Sequence, residues 1–186
     1  PPRDYRAETL EQDLCYLDIA YREGESANPL LVFVHGGSWM EGSRKEMTDY
    51  LYTFSALGYT VATIDYDLLD LYDYLTGELV SINAQVGLVS QAVSYLTDNA
   101  EQYHIDTEKV VLIGHSAGGQ LTGCLAERIS EHPEEYGYQL AGVVILAGAT
   151  DFRTMLYEDY HWEGNISLGL MPFIFDGVED GDIITE

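Results

Sequence analysis

The sequence has few basic residues and few cysteines. Its 186 residues include 8 lysines and arginines against 32 aspartates and glutamates, which gives a formal net charge of −24. A surface of this sign repels phosphate backbones and anionic lipid headgroups, so we expect no nucleic acid and no membrane among the partners. The 2 cysteines match no metal-binding or redox spacing, and we expect neither a disulfide framework nor a metal site.

Long apolar segments are also missing. No run approaches the ~18–20 apolar residues that a membrane-spanning helix needs. No secretory signal is visible in these residues, and removal of a leader before Pro1 stays open as an alternative. Together with the unpaired cysteines, these absences predict a cytoplasmic protein. The length and the hydrophobic fraction of 46% predict a single domain over residues 1–186, with its core within 14–150.

Short apolar runs alternate with helical patterns along the chain. Four runs are typical of strands buried on both faces of a parallel sheet: 30–34, 59–64, 110–113 and 143–146. Apolar residues three and four apart predict helices near 47–57, 82–96 and 121–129. Residues 15–21 alternate with period two, which predicts a half-exposed antiparallel edge strand. The order predicts an α/β fold with three α/β/α layers and a mainly parallel sheet.

The strongest chemical motif lies at a strand-to-helix junction. Residues 110–113 lead into Gly114-His115-Ser116-Ala117-Gly118, a G-x-S-x-G turn that we call the serine elbow. A serine on such a turn has a strained backbone and an exposed hydroxyl, and the N–H groups of the following helix can stabilise an anion beside it. A turn that only packs a helix against a strand is the alternative. Phosphate-binding and dinucleotide-binding motifs do not fit, because Gln120 and Ser116 stand where they need lysine and glycine.

A second glycine-rich turn follows the first buried run. We call its residues His35-Gly36-Gly37-Ser38-Trp39 the HGGSW loop. Glycines allow the backbone to turn its N–H groups inward, as acyl transfer needs for a developing oxyanion. Because the carboxyl ends of parallel strands meet at one edge of a sheet, we expect the HGGSW loop and the serine elbow to be neighbours.

With these motifs, residues 14–152 resemble α/β-hydrolases of the esterase and lipase group that carry an HGGxW loop. Kynurenine formamidases and related carboxylesterases share this pattern. The resemblance extends to Ile64-Asp65-Tyr66 and to the approach to the elbow strand at 106–109. It implies a hydrolase that cleaves a small carboxylic ester through an acyl-enzyme and needs no cofactor. An amidase of arylformamidase type and an inactive hydrolase-like fragment or binding protein stay open as alternatives.

The resemblance also implies a role for each motif residue. Ser116 is the implied nucleophile, and His35 is implied to fix its loop rather than to act as a base. The implied oxyanion hole consists of the N–H groups of Gly36, Gly37 and Ala117. Trp39 is implied to line or buttress the acyl pocket, and we also place His115 at the substrate pocket.

The acid and the histidine of a catalytic triad are harder to assign. In this fold they follow the serine in the chain, and the 36 residues after 150 are too few for two further strands. In one interpretation Asp180 follows a strand and is the acid; in the other, which we prefer, 151–186 begin a cap or post-strand segment. His161 falls in that cap-like stretch. We therefore expect a C-terminally truncated chain that lacks the last strands, has its catalytic histidine beyond residue 186, and is weakly active or inactive by itself.

Overall fold

A six-stranded sheet forms the centre of the protein. The computed structural model describes residues 5–12, 15–24, 27–70, 80–148 and 150. The strands are β1 (Tyr5–Gln12), β2 (Cys15–Arg22), β3 (Asn28–Val34), β4 (Thr60–Ile64), β5 (Ile105–His115) and β6 (Leu140–Leu146). Their spatial order is β1-β2-β4-β3-β5-β6. The pairs β4–β3, β3–β5 and β5–β6 are parallel, whereas β2 is antiparallel to both β1 and β4.

The described residues form four α-helices, three of them at the predicted places. They are α1 (Thr48–Ala56), α2 (Ile82–Asp98), the short α3 (Ala100–Tyr103), which was not predicted, and α4 (Ala117–Glu131). Single 3₁₀ turns cover Arg44–Met47 and Pro133–Glu135. The apolar stripes that predict α2 and α4 are buried, as expected for helices that pack on a sheet.

The side chains of β3 show how the layers are arranged. Leu30, Val32 and Val34 join one buried cluster with the apolar faces of α2 and α4. Leu31 and Phe33 point to the other face and join a second cluster with α1. Because alternate residues of one strand bury on opposite sides, both faces of the sheet are covered, and the predicted three-layer α/β fold is confirmed.

Two expectations about the margins of the sheet are wrong. Strand β2 is not an edge strand, because β1 pairs along its whole length and Leu17, Ile19 and Ala20 are fully buried. The run 143–146, predicted to be buried on both faces, is 36–43% exposed. The helix α4 packs against Ile145 at Gly119 and Gly123, but no strand among the described residues pairs with the outer edge of β6.

A search of the described helices for length and apolar character sufficient to cross a bilayer finds no candidate.

Candidate active site

Ser116 occupies a strained position between β5 and α4. Its backbone angles are φ 52° and ψ −118°, and it caps the N-terminus of α4 without using its side chain for that purpose. A non-glycine residue in the left-handed region costs on the order of 1–3 kcal/mol and persists only where the surroundings enforce it. This is the conformation that the G-x-S-x-G motif predicts.

The two glycines of the serine elbow let backbone segments touch directly. A Cβ added at Gly118 would lie 2.3 Å from the carbonyl oxygens of Val34 and His35. A Cβ added at Gly114 would lie 2.1 Å from the carbonyl oxygen of Gly118. Any side chain at either position would collide with backbone, so the elbow is wedged against the end of β3, where the HGGSW loop begins.

The HGGSW loop and the serine elbow meet, as expected from parallel strands. A Cβ added at Gly36 would lie 3.0 Å from the Cβ of Ser116 and 2.9 Å from Nδ1 of His115. Gly37 has a φ of 117°, and a Cβ there would overlap the carbonyl oxygen of Glu41. The loop therefore carries its backbone within contact distance of the serine only because these two positions have no side chain.

His35 is part of the framework of the loop. Its fully buried ring donates from Nδ1 to the carbonyl oxygen of Gly36 at 2.6 Å. The ring also stacks on Tyr66 with a centroid distance of 4.4 Å. Burial, followed by the charges of Glu46 and Asp65, raises the pKa of Tyr66. The Tyr66 hydroxyl thus stays protonated and donates to the His35 carbonyl at 3.2 Å.

A charged cluster beside His35 was not found from the sequence. The backbone N–H of Arg44 donates to Oδ1 of Asp65 at 2.6 Å, and its guanidinium binds Asp65 and, at 3.1 Å, Asp18. Burial would lower the pKa of Arg44, but the hydrogen bonds to Asp18 and Asp65 outweigh it and raise that pKa. Nε2 of His35 lies 3.9 Å from Oδ1 of Asp65. The sequence contains Asp65 within Ile64-Asp65-Tyr66, which is part of the family resemblance, but the resemblance predicts no role for this carboxylate.

Trp39 lies beneath the loop rather than at its surface. Its side chain is only 7% exposed and belongs to the main core. The indole Nε1 donates to Oε1 of Gln120 at 3.2 Å, and the Trp39 carbonyl accepts from Nε2 of Gln85 at 3.2 Å. Of the two implied roles, lining or buttressing, these contacts correspond to buttressing. Neither glutamine was singled out as a site residue by the sequence, because the pattern does not report such long-range contacts.

His115 faces a small cavity on the α1 side of the sheet. The cavity has a volume of about 240 Å³ and is lined by Phe33, Met47, Tyr50 and Leu146 among others. These side chains are mainly apolar, so the space suits a short hydrocarbon group. That a substrate uses it stays a prediction.

No histidine in the described ranges is hydrogen-bonded to the Ser116 hydroxyl. His35 is engaged with its own loop, and His104 precedes the opposite end of β5. His132 follows the 15 residues of α4, ~22 Å from the elbow. The predicted candidates His161 and Asp180 lie outside the described residues.

One group of possible metal ligands occurs among the described side chains, away from the serine. His132, Glu134 and Glu135 are exposed, and their ligand atoms lie within 4.8 Å of one another. They follow the C-terminus of α4, whereas Ser116 precedes its N-terminus. This group therefore does not belong to the candidate active site.

Comparison with known proteins identifies the family of the chain. The BD-FAE family model matches residues 17–170. The chain belongs to the BD-FAE family. This family is of the α/β-hydrolase esterase type, and the assignment confirms the resemblance stated from the motifs. The chain is therefore a member of an esterase family of the α/β-hydrolase fold.

Curated relatives and solved structures extend the comparison of this BD-FAE family member. A non-reducing polyketide synthase from Stereocaulon alpinum is 27% identical over 164 residues, which are 82% of this chain and 6% of the relative. Kynurenine formamidase from Drosophila melanogaster is 24% identical over 140 residues, 75% of this chain and 43% of the relative. Esterase B from Lactobacillus rhamnosis aligns with a TM-score of 0.71 and 21% identity over 96% of this chain and 64% of that structure. The BD-FAE chain thus spans less than half of both curated relatives.

Proposed function

We propose that the protein is a serine hydrolase that cleaves a small carboxylic ester. One observation carries the proposal: the strained Ser116 lies against the backbone of Gly36. Strain of this kind persists where surrounding structure enforces it, and it is concentrated at functional sites. Membership of an esterase family supports the same reaction class.

The reaction follows from the groups that meet at this edge. Oγ of Ser116 attacks the ester carbonyl carbon and loses its proton to a base, while the carbonyl oxygen becomes an oxyanion. N–H groups of Gly36, Gly37 and Ala117 donate to that oxyanion. The carbon–oxygen bond to the alcohol then breaks, the alcohol leaves with the proton, and water hydrolyses the acyl-serine to free acid.

The base and the acid of the triad come from outside the described residues in this proposal. Among the described histidines, His35 is engaged with its own loop, His104 and His132 are remote from Ser116, and His115 faces the cavity on the α1 side. A serine with an oxyanion hole but without its base retains ~10³–10⁴-fold of catalysis over water. Any form of the protein without that base is thus expected to react slowly, and the full-length protein with all three groups to react fast.

An arylformamidase-type amidase is the second candidate. The similarity to kynurenine formamidase from Drosophila melanogaster favours it. The oxyanion hole and the serine would serve both reactions, since an amide and an ester each pass through a tetrahedral intermediate with a negatively charged oxygen. Turnover of an aryl formamide by the full-length protein, compared with acetate and butyrate p-nitrophenyl esters, separates the two candidates.

Covalent labelling tests the proposed nucleophile. We expect a fluorophosphonate probe to label the full-length protein at Ser116, because the serine oxygen displaces fluoride from phosphorus and the tetrahedral adduct mimics the intermediate of acyl transfer. The Ser116→Ala variant should remain unlabelled and lose ester turnover by ~10⁴-fold or more, as for other members of a triad. Ser130→Ala is the matched control, since Ser130 lies near the other end of α4.

Two results would contradict the proposal. Labelling of the Ser116→Ala variant to the same extent as the wild type would place the nucleophile elsewhere. A folded full-length protein without any labelling or turnover would favour the inactive, ligand-binding alternative.

A further inference from the structure

The Gln120 side chain links the two halves of the proposed site. Its Oε1 accepts the 3.2 Å hydrogen bond from the indole of Trp39, the last residue of the HGGSW loop. Its own N–H donates to the carbonyl of Ser116, so Gln120 lies in the first turn of α4. Both side chains are 6–7% exposed. This buried hydrogen bond thus joins the loop of Gly36 and Gly37 to the helix that begins with Ala117.

The orientation of the Gln120 amide is set from both sides. An indole N–H can only donate, so the atom that faces Trp39 must be the amide oxygen. The amide nitrogen lies 3.3 Å from Sγ of Cys124, one turn further along α4. Burial, followed by the charge of Glu127, raises the pKa of Cys124, so the sulfur is present as a thiol. These two contacts fix the orientation of the Gln120 amide, with its oxygen towards the indole and its nitrogen towards the thiol.

The HGGSW loop needs fixed points because its backbone is strained. Ser38 and Trp39 have φ values of 51° and 63°, directly after Gly37. Two consecutive non-glycine residues in this region cost on the order of 1–3 kcal/mol each. The carbonyl of Trp39 is held by the N–H of Leu69 at 2.8 Å and by Gln85. Gln120 holds the side chain of the same residue through the indole Nε1.

The distance between the two halves matters for the proposed chemistry. Oxyanion donors act when they lie 2.7–3.1 Å from the oxyanion, and a displacement of about 1 Å can cost ~100-fold in rate. Two of the donors belong to the loop and the third to α4. We propose that Gln120 is a positioning residue whose side-chain oxygen, through Trp39, fixes the HGGSW loop against the serine elbow. This inference rests on the proposed ester hydrolysis.

Steady-state kinetics of the full-length protein test the inference. Gln120→Met removes the acceptor, Trp39→Phe removes the donor, and the double variant removes both. We expect each single variant to lower kcat by ~10–100-fold with KM changed less than twofold, because the oxyanion forms only in the transition state. The double variant should be no slower than the slower single variant, since all three lack the same hydrogen bond.

Two further variants separate positioning from packing. Gln120→Glu keeps an acceptor oxygen for the indole and should restore most of the kcat that Gln120→Met loses; a packing role alone would make the charged variant the worse of the two. Gln91→Met, at an exposed position of α2, is the matched control and should leave kcat unchanged. If Gln120→Met fails to fold, the kcat of Gln120→Glu, which keeps the acceptor, is compared instead with the kcat of Trp39→Phe, which lacks the donor.

The outcomes that overturn the inference are distinct from those that overturn the function. If the wild type turns over substrate, three results would refute the positioning role. These are an unchanged kcat in both single variants, a rise in KM alone, and losses in kcat that multiply in the double variant. The absence of wild-type turnover and of Ser116 labelling would refute the proposed hydrolysis, and this inference with it.

Discussion

Individual residues with unusual backbone angles are concentrated at the carboxyl edge of the sheet. The non-glycine residues with positive φ include Ser38, Trp39, Ser116 and Ala147, which follow β3, β5 and β6. Only His104 among the described examples lies elsewhere, at the end of α3. Strain of this kind is enforced by the surrounding fold, so its accumulation at one edge marks where the fold is organised around a site.

Substitution of Gly118 is expected to be costly. In Gly118→Ala the new Cβ would meet the carbonyl oxygens of Val34 and His35 at 2.3 Å, and backbone cannot move aside as a flexible side chain can. We expect the free energy of unfolding to fall by at least ~1–3 kcal/mol. Urea denaturation followed by circular dichroism measures this change.

Gly87→Ala is the control for that experiment. Gly87 lies inside α2, and a Cβ there would have no atom within 4 Å. Alanine in a helix interior stabilises by ~0.5–1 kcal/mol over glycine, so this variant should be more stable than the wild type. Equal effects at 87 and 118 would contradict the close packing of the elbow.

At the residue scale, the sequence predicted the motif residues and missed their supports. Ser116, Gly36 and Gly37 were recognisable because fixed spacing reports a local turn. Gln85 supports a carbonyl 46 positions away, and Gln120 an indole 81 positions away. Such contacts depend on which helices pack together, and one sequence does not contain that information as a local pattern.

At the scale of elements, strands and helices with strong apolar patterns were predicted well. Strand β1 was missed because Tyr5–Gln12 has four charged or amide side chains and no clear alternation. The period of β2 suggested one exposed face, but Ala20 on that face is small enough to bury against α1. For β6, composition predicted burial, whereas burial requires an element that covers the strand.

The N-terminus of α2 offers a test of what stabilises this helix. The Ser81 hydroxyl accepts from the N–H of Ala84 at 3.1 Å and caps the helix. In Ser81→Ala we expect the free energy of unfolding to fall by ~1 kcal/mol, because one N–H of the first turn loses its acceptor. Chemical denaturation measures the loss.

A serine in the middle of the same helix provides the comparison. Ser90 lies inside α2, and Ser90→Ala should change stability by less than ~0.5 kcal/mol, in the stabilising direction. If both substitutions had the same effect, the capping role of Ser81 would be wrong.

At the scale of the whole molecule, we expect the exposed apolar residues of β6 to govern how the 186-residue chain associates. Val143, Val144, Ile145 and Leu146 are 36–43% exposed along one strand. Exposed apolar edge strands promote association between chains. We expect sedimentation velocity to show association that grows with concentration, and Val144→Lys to suppress it by adding charge to the edge.

Leu57→Lys is the matched control for the edge. Leu57 is a more exposed apolar residue, at 68%, but it lies at the end of α1 and away from the strand. This substitution should leave association unchanged. If the wild type, Val144→Lys and Leu57→Lys all associate to the same extent, another surface is responsible for the association.

The backbone contact between Gly118 and the end of β3 also sets where this fold can be redesigned. Randomised libraries that include positions 36, 114 or 118 would yield mostly misfolded clones, because a Cβ at each would lie within 3.0 Å of another atom. Tyr50 borders the cavity from α1, is 45% exposed and has no such restriction. Diversity introduced there would change the lining of the cavity while the backbone contacts at the carboxyl edge of the sheet stay intact.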